Sequence, residues 1–327
     1  MTRRPTLTVV VPARNAARHI DRCLAALLAQ RNDLPIVVVD GGSEDDTAAR
    51  ARRWGATVID TSGATAAQAR NAGAGVASTD AVVFVDADNE VRGRWLEACE
   101  EALTDEAIAA AGQPYRTVDA PTWVQSVYDA LRARPSTREP IEWLGAGNLA
   151  IRRDAFEAVG GFDTSLHTCE DVALCVDLRG RGFRLMAEPG MESVHHGDPA
   201  TLGALFRGEL WRGRDNVRVS LRRPRSFRSL AGLAVSAAAA AGLLLLVAGL
   251  VIWPWLGVLP TVAGAGLVGL AVVTRTALMA RAAGAGQTGI VAVLAVAATY
   301  EVARGVSLLY PGSHETRTGT PLVKHEA

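Results

Sequence analysis

From Ser229 to Thr274 the chain runs for 46 residues without one Asp, Glu, Lys or Arg. A membrane-spanning helix needs about 20 apolar residues, so this stretch has room for two spans and a tight turn. The spans are placed near Leu230–Trp253 and Trp255–Val273. Trp253-Pro254-Trp255 supplies the turn, since proline stops a helix and tryptophan favours the interface. A water-soluble Ala/Leu hairpin is the competing reading, but it would show a polar face.

Arginine sets the orientation. Arg207, Arg212, Arg214, Arg218, Arg222, Arg223, Arg225 and Arg228 precede the apolar stretch, against only Glu209 and Asp215, and Arg275 and Arg281 follow it. Basic flanks around an uncharged turn put both flanks in the cytoplasm, in a multi-pass protein of the cell (inner) membrane. The expected organisation is a cytoplasmic domain over residues 1–200, a basic amphipathic interface helix over 201–228 and a transmembrane hairpin over 229–274. A third hydrophobic segment covers 275–310 and a polar tail 311–327. In the interface segment Leu202, Leu205, Phe206, Leu210 and Val217 form the apolar side of one helix over Thr201–Ser220, facing lipid or the cytoplasmic domain. Within the third segment Glu301 and Arg304 are i, i+3 neighbours that could pair on one helix face. That segment either crosses the membrane with the pair facing protein or lies along the interface.

Before Arg228 the pattern is α/β. Leu7–Val11, Pro35–Asp40, Thr57–Asp60 and Ala81–Asp86 are short branched runs, separated by Ala-rich stretches of helical length at Ala16–Gln30, Asp46–Trp54 and Thr65–Ala77. This alternation predicts βαβ units and a mostly parallel, Rossmann-like sheet. Val9-Val10-Val11 is cut short by Pro12 and Arg14, which reads as a strand and not as a signal-peptide core. Thirty-four basic residues balance 34 acidic ones, so no global charge footprint for nucleic acid exists. Cys23, Cys99, Cys169 and Cys175 form no C-x-x-C pair and read as reduced core thiols.

Ligands of an open parallel sheet bind at the carboxyl ends of its strands. Here those ends are Pro12-Ala13-Arg14-Asn15, Asp40-Gly41-Gly42-Ser43-Glu44-Asp45-Asp46-Thr47 and Asp86-Ala87-Asp88. Asp86 and Asp88, two residues apart just past a strand, can reach one divalent cation, Mg or Mn. A solvated turn capping the next helix is the plainer alternative. The second loop is neither a P-loop nor a Rossmann fingerprint, and its Ser and Asp residues also suit ordinary capping. Glu170-Asp171 stands at an expected helix start, where the dipole favours carboxylates. Adjacent His195 and His196 follow a short β-like run and could complete a metal site.

Taken in order, P-A-R-N, D-G-G-S-E-D-D-T, Arg70-Asn71-Ala72-Gly73, Asp86-x-Asp88, Gly147-Asn148, Gly160-Gly161-Phe162-Asp163 and Glu170-Asp171 resemble a family 2 glycosyltransferase of the GT-A fold. The resemblance covers about Leu7 to Arg214. It implies inverting transfer of a sugar from a nucleotide-diphosphate sugar to a hydroxyl of a lipid-linked or saccharide acceptor, as in polysaccharide biosynthesis. Pro12, Arg14, Asn15, Asp40 and Ser43 would line the nucleoside pocket, with Asp45 and Arg70 at the ribose or diphosphate. Asn71, Gly147 and Asn148 belong to the same donor-site motifs. Asp86 would face the ribose and metal, and Asp88 would ligate the metal together with His195, in preference to His196. Asp171 would be the general base, and Glu170 would position acceptor or sugar.

Arg212 or Arg214 could hold the same phosphates, or serve only to attract the membrane surface. The chain departs from the family in Asp40-Gly41, where many relatives carry two acidic residues. It also has Glu209-Leu210-Trp211-Arg212-Gly213-Arg214 where processive synthases carry Q-x-x-R-W. With two or three spans, transfer of one or a few sugars is expected in place of polymer export. Two rivals are a nucleotidylyltransferase, which lacks its glycine-rich basic loop here, and an inactive membrane-anchored nucleotide-sugar-binding partner.

Overall fold

The computed structural model describes residues 3–132, 134–222, 227–256, 258–283 and 289–309. The expected polar tail, with Arg223 and Arg225 of the basic run, lies outside the described residues. Strand and helix alternate as the branched runs predict: β1 (Leu7–Ala13), α1 (Ile20–Gln30), β2 (Ile36–Asp40), α2 (Thr47–Arg53), β3 (Thr57–Asp60), α3 (Ala66–Val76) and β4 (Ala81–Val85). Then follow β5 (Asn89–Val91), α4 (Trp95–Ala102), β6 (Ile108–Gly112), α5 (Trp123–Asp129) and β7 (Glu139–Pro140). The domain closes with β8 (Asn148–Arg152), α6 (Arg153–Ala158), α7 (Glu170–Gly180), β9 (Arg184–Ala187) and β10 (Ser193–His195).

The main sheet has eight strands in the order β3-β2-β1-β4-β8-β6-β9-β7. β1 pairs in parallel with β2 and β4, whereas β8 enters antiparallel between β4 and β6. An antiparallel strand begins where its parallel neighbour ends, so Asn148 lies opposite Val85 and the Gly145–Gly147 turn reaches the edge that carries Asp86. Successive β1 residues alternate between two cores: Val9 and Val11 pack towards α1 and α4, Val10 towards the face of Phe84, Phe156 and Phe162. Both faces are covered, which is why the strands read as unbroken Val/Ile runs.

Helix α3 lies close on this sheet because of Gly73. A Cβ there would come within 2.3 Å of Val10 Cγ1 and 2.9 Å of Val39 Cγ2. Gly73→Ala is therefore expected to cost about 1–3 kcal/mol by overpacking, seen as a lower thermal midpoint in detergent. An unchanged midpoint would show that α3 can lift away freely.

The remaining helices are α8 (Leu202–Arg212), α9 (Asn216–Ser220), α10 (Phe227–Leu256), α11 (Leu259–Ala283) and α12 (Ile290–Leu309). The single helix expected over Thr201–Ser220 is broken at Gly213–Asp215, and Val217 falls on α9, where it is exposed. Leu205 is turned to α5 and α12, packing with Val124, Val127, Val293 and Val296. Phe227–Val251, Leu259–Arg281 and Ile290–Leu309 are each long and apolar enough to cross a membrane. They could anchor the protein there: Leu250, Leu259, Val273 and Ile290 are exposed on the outside of the bundle, and small residues bring α10 and α11 together. A Cβ on Gly242 would meet the Gly264 carbonyl at 2.8 Å.

Two expectations for these helices need correction. The turn does not fall at Trp253–Trp255, because α10 runs on to Leu256 and α11 from Leu259 to Ala283. Proline is tolerated in apolar spans where neighbouring groups make good its missing bond. Nor do Glu301 and Arg304 pair with each other. Glu301, fully buried, accepts from Arg275 Nε at 2.5 Å and from Ser236 Oγ at 3.2 Å, whereas Arg304 Nε donates to Glu209 Oε2 at 2.8 Å. Each charge finds a partner on another helix, which satisfies it inside the bundle.

Candidate active site

The carboxyl edge of the sheet gathers its charges around one arginine. Arg70, 5% exposed on α3, donates from one guanidinium nitrogen to Glu170 Oε1 at 2.6 Å and from another to Asp86 Oδ1 at 2.7 Å. Burial works against its charge, but Asp86 and Glu170 outweigh it and hold the guanidinium firmly protonated. Asn71 beside it supports the wall: its amide donates to the Phe162 carbonyl at 2.8 Å and accepts the Phe162 N–H at 2.9 Å.

The Gly145-Ala146-Gly147 turn holds the other carboxylates. The Asp86 N–H donates to the Gly147 carbonyl, and a Cβ on Gly147 would strike Asp86 Oδ2 at 2.5 Å. Asp171 lies on the far side of the turn. It accepts the Val172 N–H at 2.7 Å and a bond from the Ala146 backbone, and a Cβ on Gly145 would lie 3.8 Å from its Oδ2. Burial and the neighbouring Glu170 push the Asp171 carboxyl up to about 6, against the pull of Arg70.

A second cluster stands beside it. β5 and β10 pair so that His195 faces Asn89, and this brings His195 Nε2 to 3.3 Å from Asp88 Oδ2. Its Nδ1 contacts Asp198 Oδ1 at 2.8 Å, Asp198 is bound by both terminal nitrogens of Arg132, and Tyr115 stacks on the imidazole at 4.4 Å. Burial alone would depress His195, but hydrogen bonds to Asp198 and Asp88 raise it to about 9. His196 is turned elsewhere, to Glu90 at 2.8 Å and Arg22 at 3.0 Å. Among the described residues no group of three or more metal-type side chains converges. Asp88 with His195 nevertheless suits a hard divalent cation that keeps open positions for phosphate and water. Asp198 fixes the imidazole with Nε2 towards Asp88, the usual support of a ligating histidine.

The first two strand ends are tied to each other. Ser43 Oγ donates to Asp40 Oδ1 at 2.5 Å and accepts the Asn15 N–H at 2.9 Å, and Asn15 Oδ1 accepts the Glu44 N–H at 2.9 Å. Asn15 takes the left-handed conformation, φ 51°, to make this turn. Asp45 uses its carboxylate on Ala17 and Thr47, so here it clasps loops. Pro12 is half-buried and Arg14 exposed on the same edge.

Asn148 is the clearest departure from expectation. It is 2% exposed, and its amide is taken up by Gln113, Met191 and Trp95, so it braces the site from within and does not line it. Arg212 donates to Glu209 at 3.1 Å, and Arg214 is exposed. Sequence reasoning missed Arg132, Tyr115, Asp198 and Glu209. Only Asp198 left a signal, standing three residues after His195.

A mostly parallel mixed sheet with an Asp-x-Asp edge, followed here by apolar helices, is the GT-A arrangement. Residues 8–160, just under half of the chain, match the family model of glycosyl transferase family 2, so this segment is similar to that family. A pre-mycofactocin glycosyltransferase of Mycobacterium tuberculosis is 28% identical over 196 residues, 56% of this chain and 41% of that protein. The chain thus spans less than half the length of that relative. A 4,4'-diaponeurosporenoate glycosyltransferase of Staphylococcus aureus is 40% identical over 55 residues, 17% of this chain and 15% of that one. A mannosyltransferase from Pyrobaculum calidifontis, solved with GDP-Man and Mn2+, shares the fold with a TM-score of 0.59 at 18% identity, over 95% of this chain and 88% of its own. GalNAc-T7, solved with UDP, GalNAc and Mn2+, aligns with a TM-score of 0.50 at 18% identity, over 66% and 47%.

Proposed function

We propose that the protein transfers a sugar, with inversion, from a nucleotide-diphosphate sugar to a hydroxyl of a lipid-linked or saccharide acceptor at the cytoplasmic face of a membrane. The observation that carries this reading is Asp171, a carboxyl raised to about 6 and held by one glycine-rich turn beside Asp86. A base of that strength is deprotonated near neutrality yet can still accept a proton. Asp171 takes the acceptor proton as the acceptor oxygen bonds to the anomeric carbon. The bond to the diphosphate breaks on the opposite face, and its electron pair leaves with the phosphate. Arg70 keeps Glu170 and Asp86 in place, and Glu170 positions the incoming group. Asp40, Ser43, Asn15, Arg14 and Pro12 form the edge where the nucleoside would lie, and Gly147 lets the sugar approach the backbone. Mg or Mn at Asp88 and His195 would supply positive charge against the leaving diphosphate. The basic α8–α9 segment and three apolar helices favour a membrane-borne acceptor, and three spans favour transfer of one or a few sugars.

The test is calorimetric titration of UDP, GDP, CDP and dTDP into detergent-solubilised protein, with and without Mn. One diphosphate is expected to bind in a Mn-dependent manner, and Asp88→Ala to weaken it at least about tenfold, since one ligand of a hard cation is lost. Folded protein that binds none of the four would sink the transferase reading in favour of an inactive scaffold.

A further inference from the structure

Asp215 stands at the first position before α9, where an aspartate would normally cap its own helix, yet its side chain makes no capping bond there. Its Oδ2 instead accepts the N–H of His167 at 2.8 Å and of Thr168 at 3.1 Å. The Asp215 N–H in turn donates to Thr168 Oγ1 at 3.2 Å, and Thr168 is 2% exposed. The next residue, Cys169, adopts φ 60°, a left-handed conformation that a non-glycine residue keeps only when its surroundings impose it. Glu170 and Asp171 follow at once as the first turn of α7.

The same segment is gripped elsewhere. Arg218 donates to the Ser165 carbonyl and hydroxyl, Arg222 binds Asp163, and Cys169 Sγ meets the Arg212 carbonyl at 3.7 Å. In the last turn of α8, the fully buried Glu209 accepts from Arg304 of the apolar helix α12 and from Tyr128 at 2.6 Å. Gly213 seals this junction, since a Cβ there would overlap Ser307 Oγ at 1.9 Å. A continuous path therefore runs from α12 through α8 and Asp215 to the backbone of Thr168, then Cys169, then Asp171.

We propose that Asp215 is a positioning residue for Asp171, locking the loop before α7 to a helix anchored on the apolar bundle. This rests on the reading of Asp171 as the base. Asp215 acts on geometry: it touches backbone and the Thr168 hydroxyl. The groups that bear on the Asp171 carboxyl are Glu170, Arg70 of α3 and the backbone N–H groups of Val172 and Ala146, and the carboxylate in turn pushes up the nearby thiols of Cys169 and Cys175. Arg304 acts on Cys169. Both accepted bonds use a single oxygen, so an amide oxygen can replace it.

The experiment uses the full chain in detergent–lipid micelles with Mn. It follows nucleoside diphosphate release from UDP-glucose, UDP-N-acetylglucosamine and GDP-mannose as a function of pH. Asp215→Ala is expected to lower kcat roughly 10–100-fold, as small misplacements of reacting groups do, with donor KM within about twofold. Its acid limb should move below that of the native protein as Asp171 gains water. Asp215→Asn should recover most of the rate. Thr168→Val, which removes only the hydroxyl, should give a weaker loss in the same direction and serves if Asp215→Ala does not fold.

Native kcat with an unmoved limb in Asp215→Ala, or in Thr168→Val where it stands in, would overturn the proposal. So would a loss carried wholly by KM, or Asp215→Asn as impaired as Asp215→Ala. Asp171→Asn separates the two readings. If it is inactive while Asp215→Ala is normal, only the clasp fails. If Asp171→Asn is fully active, or the native protein releases no diphosphate, the base reading fails and the clasp with it.

Discussion

Replacing Asp171 by Asn is expected to lower sugar transfer ~10²–10⁴-fold, the usual contribution of a positioned base. Affinity for the nucleoside diphosphate should hold, because Asp171 lies across the Gly145–Gly147 turn from Asp86 and is not part of the Asp88–His195 pair that would hold the metal. The amide is nearly the size of the carboxyl and still accepts the Val172 N–H, so the loop has little reason to move. The pH dependence gives an independent check. The base works only when ionised, and burial beside Glu170 sets its carboxyl at about 6. The native rate should therefore be flat above that value and fall about tenfold per pH unit below it. The residual rate of the variant should lack this limb. Undiminished transfer by Asp171→Asn would remove Asp171 from the chemistry.

Arg70→Met is expected to be the most destabilising of the site substitutions. The guanidinium is almost wholly enclosed and is bound by Asp86 at 2.7 Å and Glu170 at 2.6 Å. Removing one member of a buried ionic cluster leaves the others unpaired and costs about 3–5 kcal/mol. Here the carboxylates left behind are Asp86, Glu170 and Asp171, which repel one another. Loss of the guanidinium removes the pull that opposes the rise of the Asp171 carboxyl, so that group rises further above its unfolded value and the folded state takes up protons. Asp171, already raised to about 6, should give the native protein some gain in stability as pH falls from 7 towards 5, and Arg70→Met, which has lost the opposing charge, should gain more. Thermal melts of both proteins at the two pH values provide the measurement. Equal midpoints at pH 7 would show that the arginine is dispensable for holding the edge together.

Much of the catalytic edge was legible because it is local. Branched runs that end in Asp40 and Asp86 announce strands and the side on which they stop, and Asp88 follows two residues later. The Asp88–His195 encounter was harder, since it depends on two three-residue strands, β5 and β10, too short to carry a period. Tyr115 and Arg132 sit in the irregular connections before and after α5, with no pattern to mark them. Asn148 misled because a motif asparagine next to a glycine turn looks the same whether its amide faces a ligand or, as here, Trp95 and two carbonyls.

The apolar helices show the same division. Absence of charge located them, but the proline that suggested a turn was absorbed into α10. Glu301 and Arg304 were matched to each other because i, i+3 is the proximity one dimension offers. In three dimensions Arg275, 26 residues away, takes Glu301, and Glu209, 95 residues away, takes Arg304. Arg70 likewise meets Glu170 across 100 residues.

The sequence by itself determined where the chain is apolar enough to leave water and which acids stand at strand ends, since solvation and backbone period are properties of neighbouring residues. Only the tertiary structure decided which charge meets which. A buried ion is stable beside whatever opposite charge the packed helices bring to it, and that depends on the whole fold.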